Sequence, residues 1–182
     1  MAGSSGTLLD HEFLNLLLRA PDLNRVLDVG AGAGKYGALV RRHRPSVRDV
    51  VALEAYGPYV DQFALQTIYS KVIIGLAISL LDDPNEKWDL VILGDVLEHM
   101  PKSIGLDVLH FLVYRTRYLW LQWPIRYLQG PEAGNDLEAH ISVWSEDDVS
   151  PLQTSYVRYA EVPLEAYAVD GYLNAGLRVA DF

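Results

Sequence analysis

Four polar residues with side chains that can move protons or bind metal ions lie in two short segments. Asp95, Glu98 and His99 stand at i, i+3 and i+4 in GDVLEHM, so a helical turn would place them on one face. His140 follows in EAHISVW. Two carboxylates and two imidazoles form an acceptable shell for a divalent metal, which would lower the pKa of an acceptor hydroxyl. Without a metal, His99 or His140 can serve as a general base, and a structural role in capping the loop stays open.

A glycine cluster in VLDVGAGAGKYG is the third segment with chemical meaning. Gly30, Gly32 and Gly34 follow a short apolar run, so they form a strand-to-helix turn that lets a ligand approach the backbone. The same segment also reads GxGxxG, and Glu54 follows where a dinucleotide-binding domain places its ribose carboxylate. Asp28, inside the strand, is expected to face the turn and to favour an ammonium group over a pyrophosphate.

Alternating strands and helices must position these residues. Pro21 ends an amphipathic opening helix, and the apolar runs that follow alternate with helical spacing up to Pro124. Such βαβ repeats predict a mostly parallel sheet with helices on both faces. The predicted strands are Arg25 to Val29, Val47 to Leu53, Lys71 to Ile74, Trp88 to Leu93 and Tyr118 to Trp123. The predicted helices are Lys35 to His43 after the first strand, a segment after Gly57 that follows the second strand, and Ile104 to Tyr114 after the fourth strand.

Two further β-like stretches, Ser155 to Val162 and Gly176 to Phe182, predict an antiparallel hairpin that closes the sheet. We therefore expect an α/β fold: a three-layer Rossmann-like sandwich with a mostly parallel sheet of six or seven strands and a C-terminal antiparallel hairpin. Because loops after neighbouring parallel strands meet over one crevice, His140 is expected to lie close to Asp95, Glu98 and His99. Residues 7–182 form a single predicted domain, and residues 1–6 a flexible lead.

Composition narrows the partners. The chain has 24 acidic and 15 basic residues and a formal charge of −9, which disfavours nucleic acid and acidic membrane surfaces. The basic run Arg41 to Arg44 is expected to stabilise a helix C-terminus. There is no cysteine, no basic start followed by an apolar stretch, and no apolar run long enough for a membrane span. We expect a cytoplasmic protein, a monomer or homodimer, with no membrane partner.

The two motifs together resemble the class I S-adenosylmethionine-dependent methyltransferases. VLDVGAGAG is similar to their first motif, Glu54 to the acidic residue ending their second strand, and WDLVILGDVLEHM to a segment of the small-molecule type. The resemblance implies that the three glycines line the methionine part of the cofactor and that Glu54 binds both ribose hydroxyls. The cofactor set is predicted as Asp28, Gly30, Gly32, Gly34, Glu54, Leu76, Ala77 and Asp95, and the catalytic set as Asp95, His99 and His140.

The chain departs from the family after the third strand. Where the family often has a polar residue for the adenine amino group, this sequence has Leu76, so adenine is expected to contact Leu76, backbone groups near Ala77, or Asp82 or Asp83. A related pattern, with Glu in place of Asp95, is similar to the metal site of small-RNA 2′-O-methyltransferases, but the acidic charge and the short chain argue against RNA.

The candidate acceptor-binding residues each have more than one possible role. Aromatic faces suit a flat or sugar-like acceptor and a sulfonium, and Arg126 can bind a carboxylate or phosphate or remain solvated. The candidate aromatic residues are Tyr36, Trp123, Tyr127 and Trp144, each of which can instead pack in the core. The expected function is methyl transfer to an oxygen or nitrogen of a small molecule. The alternatives are a nicotinamide-dependent oxidoreductase and a non-catalytic cofactor-binding scaffold for a partner.

Overall fold

The computed structural model describes residue 3 and residues 6–174. Seven strands form one sheet in the order β3-β2-β1-β4-β5-β7-β6. The strands are β1 Arg25–Val29, β2 Asp49–Glu54, β3 Lys71–Ile74, β4 Trp88–Gly94, β5 Thr116–Pro124, β6 Tyr156–Glu161 and β7 Leu164–Asp170. Strands β1 to β5 are parallel, and β7 runs antiparallel to both β5 and β6. The predicted Rossmann-like sandwich, with its C-terminal hairpin, is confirmed.

Helices cover both faces of the sheet. They are α1 Asp10–Arg19, α2 Lys35–His43, α3 Pro58–Gln62, α4 Lys102–Val113 and α5 Glu146–Val149. Side chains of α1 and α2 pack with one set of strand residues, including Val26 and Ile92, and those of α4 pack with the alternate set, including Leu27 and Leu93. This division follows from the alternation of side chains along each strand. The result is the predicted three layers.

The strands before Pro124 lie where the apolar runs place them. β1, β3 and α2 have the predicted bounds, and the bounds of β2, β4, β5 and α4 differ from the prediction by no more than two residues. The segment after Gly57 is broken: α3 ends at Gln62, and Ala64 has a φ of 49° before a short 3-10 turn at Leu65–Thr67.

The closing hairpin is formed by a different pair of segments from the predicted pair. Its first strand, β6, lies within the predicted Ser155 to Val162, but its partner is β7, Leu164–Asp170. The stretch Gly176 to Phe182, which was predicted to be that partner, lies outside the described residues. Strand β7 contains the buried charged residues Glu165 and Asp170, and the Glu165 carboxylate accepts from Arg158 Nε at 2.5 Å. Within 6–174, no helix is both long enough and apolar enough to span a membrane.

Candidate functional site

A cavity of about 760 Å³ opens at the carboxyl ends of the parallel strands. Its walls include residues that end or follow β1, β2, β3, β4 and β5. Ligands bind at this edge in open α/β sheets, because the loops leaving neighbouring strands diverge there. The predicted site residues that line the cavity are Gly30, Gly32, Glu54, Leu76, Ala77, Asp95, Glu98, His99, Tyr127 and His140.

The glycine turn forms one end of the cavity. Gly30, Gly32 and Gly34 all have left-handed φ angles, of 69°, 51° and 79°. A Cβ atom on Gly32 would collide with the carbonyl oxygen of Gly3, so this turn packs directly against another backbone segment. Gly34 does not line the cavity: it precedes α2 and faces Leu65 and Ile68. Of the three glycines predicted to line the cofactor, Gly30 and Gly32 therefore line the cavity and Gly34 does not.

Glu54 ends β2 beside this turn. Its carboxylate accepts the backbone N–H of Gly32 at 2.8 Å and that of Tyr56 at 2.8 Å. Burial raises the pKa of Glu54, and these two bonds oppose the rise by stabilising the ionised form. Glu54 thus lies at the cavity wall with its orientation fixed, as a residue that binds hydroxyl groups requires.

Asp28 does not reach the cavity, which contradicts the expectation that it faces the ligand. The carboxylate points to the other face of β1, where it accepts the hydroxyl of Tyr69 at 2.6 Å. Burial raises the pKa of Asp28 to about 7, against the opposing effect of the Tyr69 hydrogen bond. The physical reason is alternation: Leu27 and Val29 share one face of the strand, and Asp28 shares the other with Val26.

The wall after β3 is apolar. Leu76 is 56% exposed, and Leu76, Ala77 and Ile78 all line the cavity. Asp82 and Asp83 are exposed and do not line it, so the alternative in which one of them folds back is wrong. Any planar ring bound at this end meets aliphatic side chains and backbone groups.

Glu98, His99 and His140 converge at the other end and are called here the Glu–His cluster. One potential ligand atom from each lies within 4.8 Å of the other two, and the two imidazole rings are 4.7 Å apart. Asp95 lines the cavity but is outside this group, and its Oδ2 accepts from Gly6 N at 3.0 Å and from Gln122 Nε2 at 2.9 Å. Of the four residues predicted to hold a metal if one binds, Glu98, His99 and His140 lie together in the structure.

Backbone carbonyls set the proton positions on both histidines of the cluster. Nδ1 of His99 lies 3.2 Å from the carbonyl oxygen of Ala139, and Nδ1 of His140 lies 2.8 Å from that of Tyr127. A carbonyl can only accept, so each Nδ1 carries the proton and each neutral ring keeps a lone pair on Nε2. Burial, followed by the nearby His140, lowers the pKa of His99 and favours its neutral form.

Glu98 is the unusual member. Its side chain is 3% exposed, and neither carboxylate oxygen has a hydrogen-bond partner. Burial, reinforced by Asp95 and Glu138, raises its pKa well above the ordinary range. A buried polar group without a partner costs about 1–3 kcal/mol, so this carboxylate is suited to a ligand that supplies positive charge or a proton.

Residues 125–141, called here the β5 loop, bring His140 to the cluster. The backbone N–H groups of Ile141 and Ser142 donate to the carbonyl of Glu98 at 2.8 and 3.1 Å, and His140 N donates to Gln129 O at 2.9 Å. The loop also contributes Glu132, Asn135, Leu137 and Glu138 to the wall, none of which the sequence reasoning selected. For Asn135, Leu137 and Glu138, the one available signal was proximity to His140 in the segment NDLEAH.

The structure decides between the roles left open for the acceptor-side residues. Tyr127 lines the cavity, but Trp123, Trp144 and Tyr36 are buried in the core. Tyr36 packs edge-on against Phe13 and fills the space above Gly94. Arg126 is exposed and does not line the cavity. Tyr59, which was not predicted, lines the cavity and donates its hydroxyl to Glu138 Oε1 at 2.7 Å.

Gly3 and Gly6 also line the site, although both belong to the segment predicted to be a flexible lead outside the fold. The Gly3 carbonyl accepts the backbone N–H of Ala33 at 2.6 Å. Lys35 Nζ donates to the Gly6 carbonyl at 2.5 Å and to Asp10 at 2.7 Å. Gly3 and Gly6 are thus part of the cavity wall.

The fold is that of class I methyltransferases. An O-methyltransferase family protein from Burkholderia thailandensis aligns with a TM-score of 0.64 at 11% identity, over 90% of this chain, which spans 56% of that protein. Magnesium protoporphyrin IX methyltransferase from Synechocystis PCC 6803, crystallised with bound SAM, gives 0.62 at 17% identity, over 88% of this chain and 77% of the other. A SAM-dependent methyltransferase from Archaeoglobus fulgidus gives 0.66 at 13% identity, over 90% and 93%. No family model and no curated protein sequence matches the chain.

Proposed function

We propose that the protein transfers a methyl group from S-adenosylmethionine to an oxygen or nitrogen of a small-molecule acceptor. The observation that carries the proposal is that one cavity holds both the Gly30–Gly32 turn with Glu54 at one end and the Glu–His cluster at the other. A cofactor end and an acceptor end in one cavity are what direct group transfer needs.

The cofactor end fits this ligand by its chemistry. Glu54 is held by two backbone N–H groups and can accept ribose hydroxyls, and Gly32 presents backbone without a side chain. Leu76, Ala77 and Ile78 would hold adenine by apolar contact. Asp28, which was expected to hold the ammonium group of the cofactor, does not line the cavity. Asp95 does line it and would hold this ammonium group instead. When bound, S-adenosylmethionine supplies a methyl group activated by a sulfonium.

The Glu–His cluster would act on the acceptor. One ring nitrogen of each histidine and the unpartnered Glu98 carboxylate lie close enough together to hold a divalent cation, and Nε2 is the nitrogen that the Nδ1 hydrogen bonds leave available. Such a cation would lower the pKa of an acceptor hydroxyl. The backbone carbonyls on both Nδ1 atoms favour this assignment, because metal-binding histidines usually donate their other N–H in this way. In the metal-free alternative, Nε2 of His99 or His140 takes the acceptor proton directly.

Cofactor binding is the first test. Calorimetry and thermal shift with S-adenosylhomocysteine and, separately, NADH distinguish this function from the oxidoreductase. We expect stabilisation by S-adenosylhomocysteine alone; stabilisation by NADH alone would overturn the proposal. Because Asp28 is buried away from the cavity, its charge does not disfavour a dinucleotide there. The binding experiment therefore decides between the two cofactors.

Turnover is the second test. Transfer of radiolabel from S-[methyl-³H]adenosylmethionine to a panel of hydroxyl and amine acceptors would demonstrate an enzyme. Binding of S-adenosylhomocysteine without transfer to any acceptor would instead support the non-catalytic scaffold.

A further inference from the structure

The backbone of Gly6 makes three polar contacts at the end of the cavity proposed for the cofactor. Its N–H donates to Asp95 Oδ2 at 3.0 Å, and its carbonyl accepts from Lys35 Nζ at 2.5 Å and from Gln122 Nε2 at 3.3 Å. Gly6 lines the cavity together with Asp95 and Gly30. One residue of the chain therefore donates to a carboxylate and accepts from an ammonium group.

These contacts match the two charged ends of a free α-amino acid. In an α-amino acid a single α-carbon separates the ammonium from the carboxylate, and a single α-carbon separates the N–H and the carbonyl of Gly6. Asp95 lies at the end where an amino acid is positive, and Lys35 at the end where it is negative. A charged ligand group gains attraction from each of these side chains that a neutral peptide group lacks.

Other contacts hold both side chains in place. Lys35 is 18% exposed, donates to Asp10 Oδ1 at 2.7 Å and lies 4.2 Å from the ring centre of Tyr36. An ammonium group has three donors, so Lys35 can bind Asp10 and a second acceptor together. Asp95 Oδ2 is held by Gln122 Nε2 at 2.9 Å. The two side chains are thus oriented before any ligand binds, which lowers the cost of binding.

Gly3 makes a second contact of this kind at the glycine turn. Its carbonyl accepts the N–H of Ala33 at 2.6 Å and lies 2.3 Å from the position of a Cβ atom on Gly32. The proposed function assigns the space beside Gly32 to the methionine part of the cofactor. Backbone of Gly3 and Gly6 fills space at this end of the cavity, so a bound cofactor would have to displace it.

We propose, on the basis of the methyl-transfer function above, that Lys35 binds the carboxylate of the methionine part while Asp95 binds its ammonium, and that Gly6 occupies this subsite until the cofactor displaces it. Gly6 lines the cavity and Lys35 does not, so the subsite is complete only when Gly6 has moved. The apparent affinity for the cofactor is then reduced by the fraction of molecules in which Gly6 is in place.

Gly6→Pro tests the competition in the full chain. Proline has no N–H to donate to Asp95, so the occupied state is weakened while Lys35 and Asp95 are unchanged. We expect the dissociation constant for S-adenosylhomocysteine to fall by about tenfold, as for loss of one hydrogen bond to a charged group. An unchanged or higher dissociation constant would contradict the competition.

Lys35→Met tests the assignment of the carboxylate. We expect the dissociation constant for S-adenosylhomocysteine to rise by about tenfold or more, because the ion pair with the ligand is lost. Lys35→Arg keeps the positive charge and should retain most of the affinity. The control Lys87→Met makes the same change at an exposed lysine outside the cavity and should bind as the wild type does. Unchanged or tighter binding in Lys35→Met would show that Lys35 holds only Gly6.

A second ligand separates these effects from general damage to the cavity. 5′-Methylthioadenosine has the adenosine and the sulfur of the cofactor and lacks the amino acid, so its affinity should be the same in the wild type, Gly6→Pro and Lys35→Met. Equal changes in the affinities of both ligands would overturn the subsite assignment.

Failure of this inference can be told from failure of the proposed function. If both ligands bind the wild type and neither substitution changes the affinity for S-adenosylhomocysteine, only the subsite assignment is wrong. If neither ligand binds the wild type or Gly6→Pro, the methyl-transfer proposal itself is wrong.

Discussion

The Glu54 carboxylate accepts the backbone N–H of Gly32 at 2.8 Å, which joins the end of β2 to the glycine turn after β1. A second bond, from Tyr56 N at 2.8 Å, occupies the other oxygen. Both carboxylate oxygens are therefore oriented by backbone groups before any ligand arrives. Such preorganisation lowers the cost of binding, because the acceptor atoms need not be ordered at that step.

Removing the charge of Glu54 should weaken cofactor binding. Hydrogen bonds to a charged group contribute about 1.5–3 kcal/mol each, so Glu54→Gln should raise the dissociation constant for S-adenosylhomocysteine by about tenfold or more. Isothermal calorimetry measures this, with Glu161→Gln as a control of equal charge change. An unchanged dissociation constant would remove Glu54 from the site.

A side chain at Gly32 should abolish cofactor binding. Gly32 has a φ of 51°, and a Cβ atom there would collide with the Gly3 carbonyl. We expect Gly32→Val to lose S-adenosylhomocysteine binding and, since left-handed backbone costs a non-glycine residue roughly 1–2 kcal/mol, to unfold at a temperature several degrees lower. Gly130→Ala, where a Cβ meets open space, is the control. Unchanged S-adenosylhomocysteine affinity in a folded Gly32→Val variant would contradict the role of this turn in cofactor binding.

The buried Asp28–Tyr69 pair should make stability depend on pH. The folded-state pKa of Asp28 is raised from 3.8 to about 7 because burial penalises its ionised form. The folded state therefore binds more protons than the unfolded state between these values, so this contribution to stability falls as pH rises from about 4 to about 7 and then levels off. Urea unfolding of the wild type and Asp28→Asn across this range isolates the effect. The difference in unfolding free energy should change in Asp28→Asn's favour as pH rises; a constant difference would refute it.

Much of the fold could be predicted because β1, β4 and β5 are rich in apolar residues on both faces, even though β1 contains Asp28. Strand β7 could not: it carries Glu165 and Asp170 at buried positions. Glu165 is tolerated because Arg158 on β6 donates to it, and that cross-strand contact is invisible in the local pattern. The sequence of one strand shows the hydrophobicity of that strand, but it does not show which charged residue on the neighbouring strand will pair with it.

The candidate site divides in the same way. Gly32, Glu54 and the Glu98–His99 pair follow strand ends, where local sequence fixes their position. Glu138 and Tyr59 meet only because the β5 loop folds back across the cavity, held by bonds such as Gln129 Nε2 to Glu138 O at 2.8 Å. Gly6 is likewise placed by contacts with Asp95 and Lys35 that are distant in sequence.

The Glu–His cluster gives the sharpest prediction. If it holds a divalent cation, Mn²⁺ should bind to the wild type by calorimetry, and Glu98→Gln and His140→Ala should each lower the affinity about 10-fold to 100-fold or more, since loss of one ligand weakens the whole shell. His110→Ala, at a histidine in α4 outside the cavity, is the control. Chelation should then abolish turnover.

If a histidine is instead a metal-free base, chelation should leave turnover intact, and the rate should rise with pH as the imidazole loses its proton. This pH dependence should vanish in the matching alanine variant. Full activity of Glu98→Gln, His99→Ala and His140→Ala with chelator present would contradict both roles and leave alignment of acceptor and methyl group as the source of catalysis.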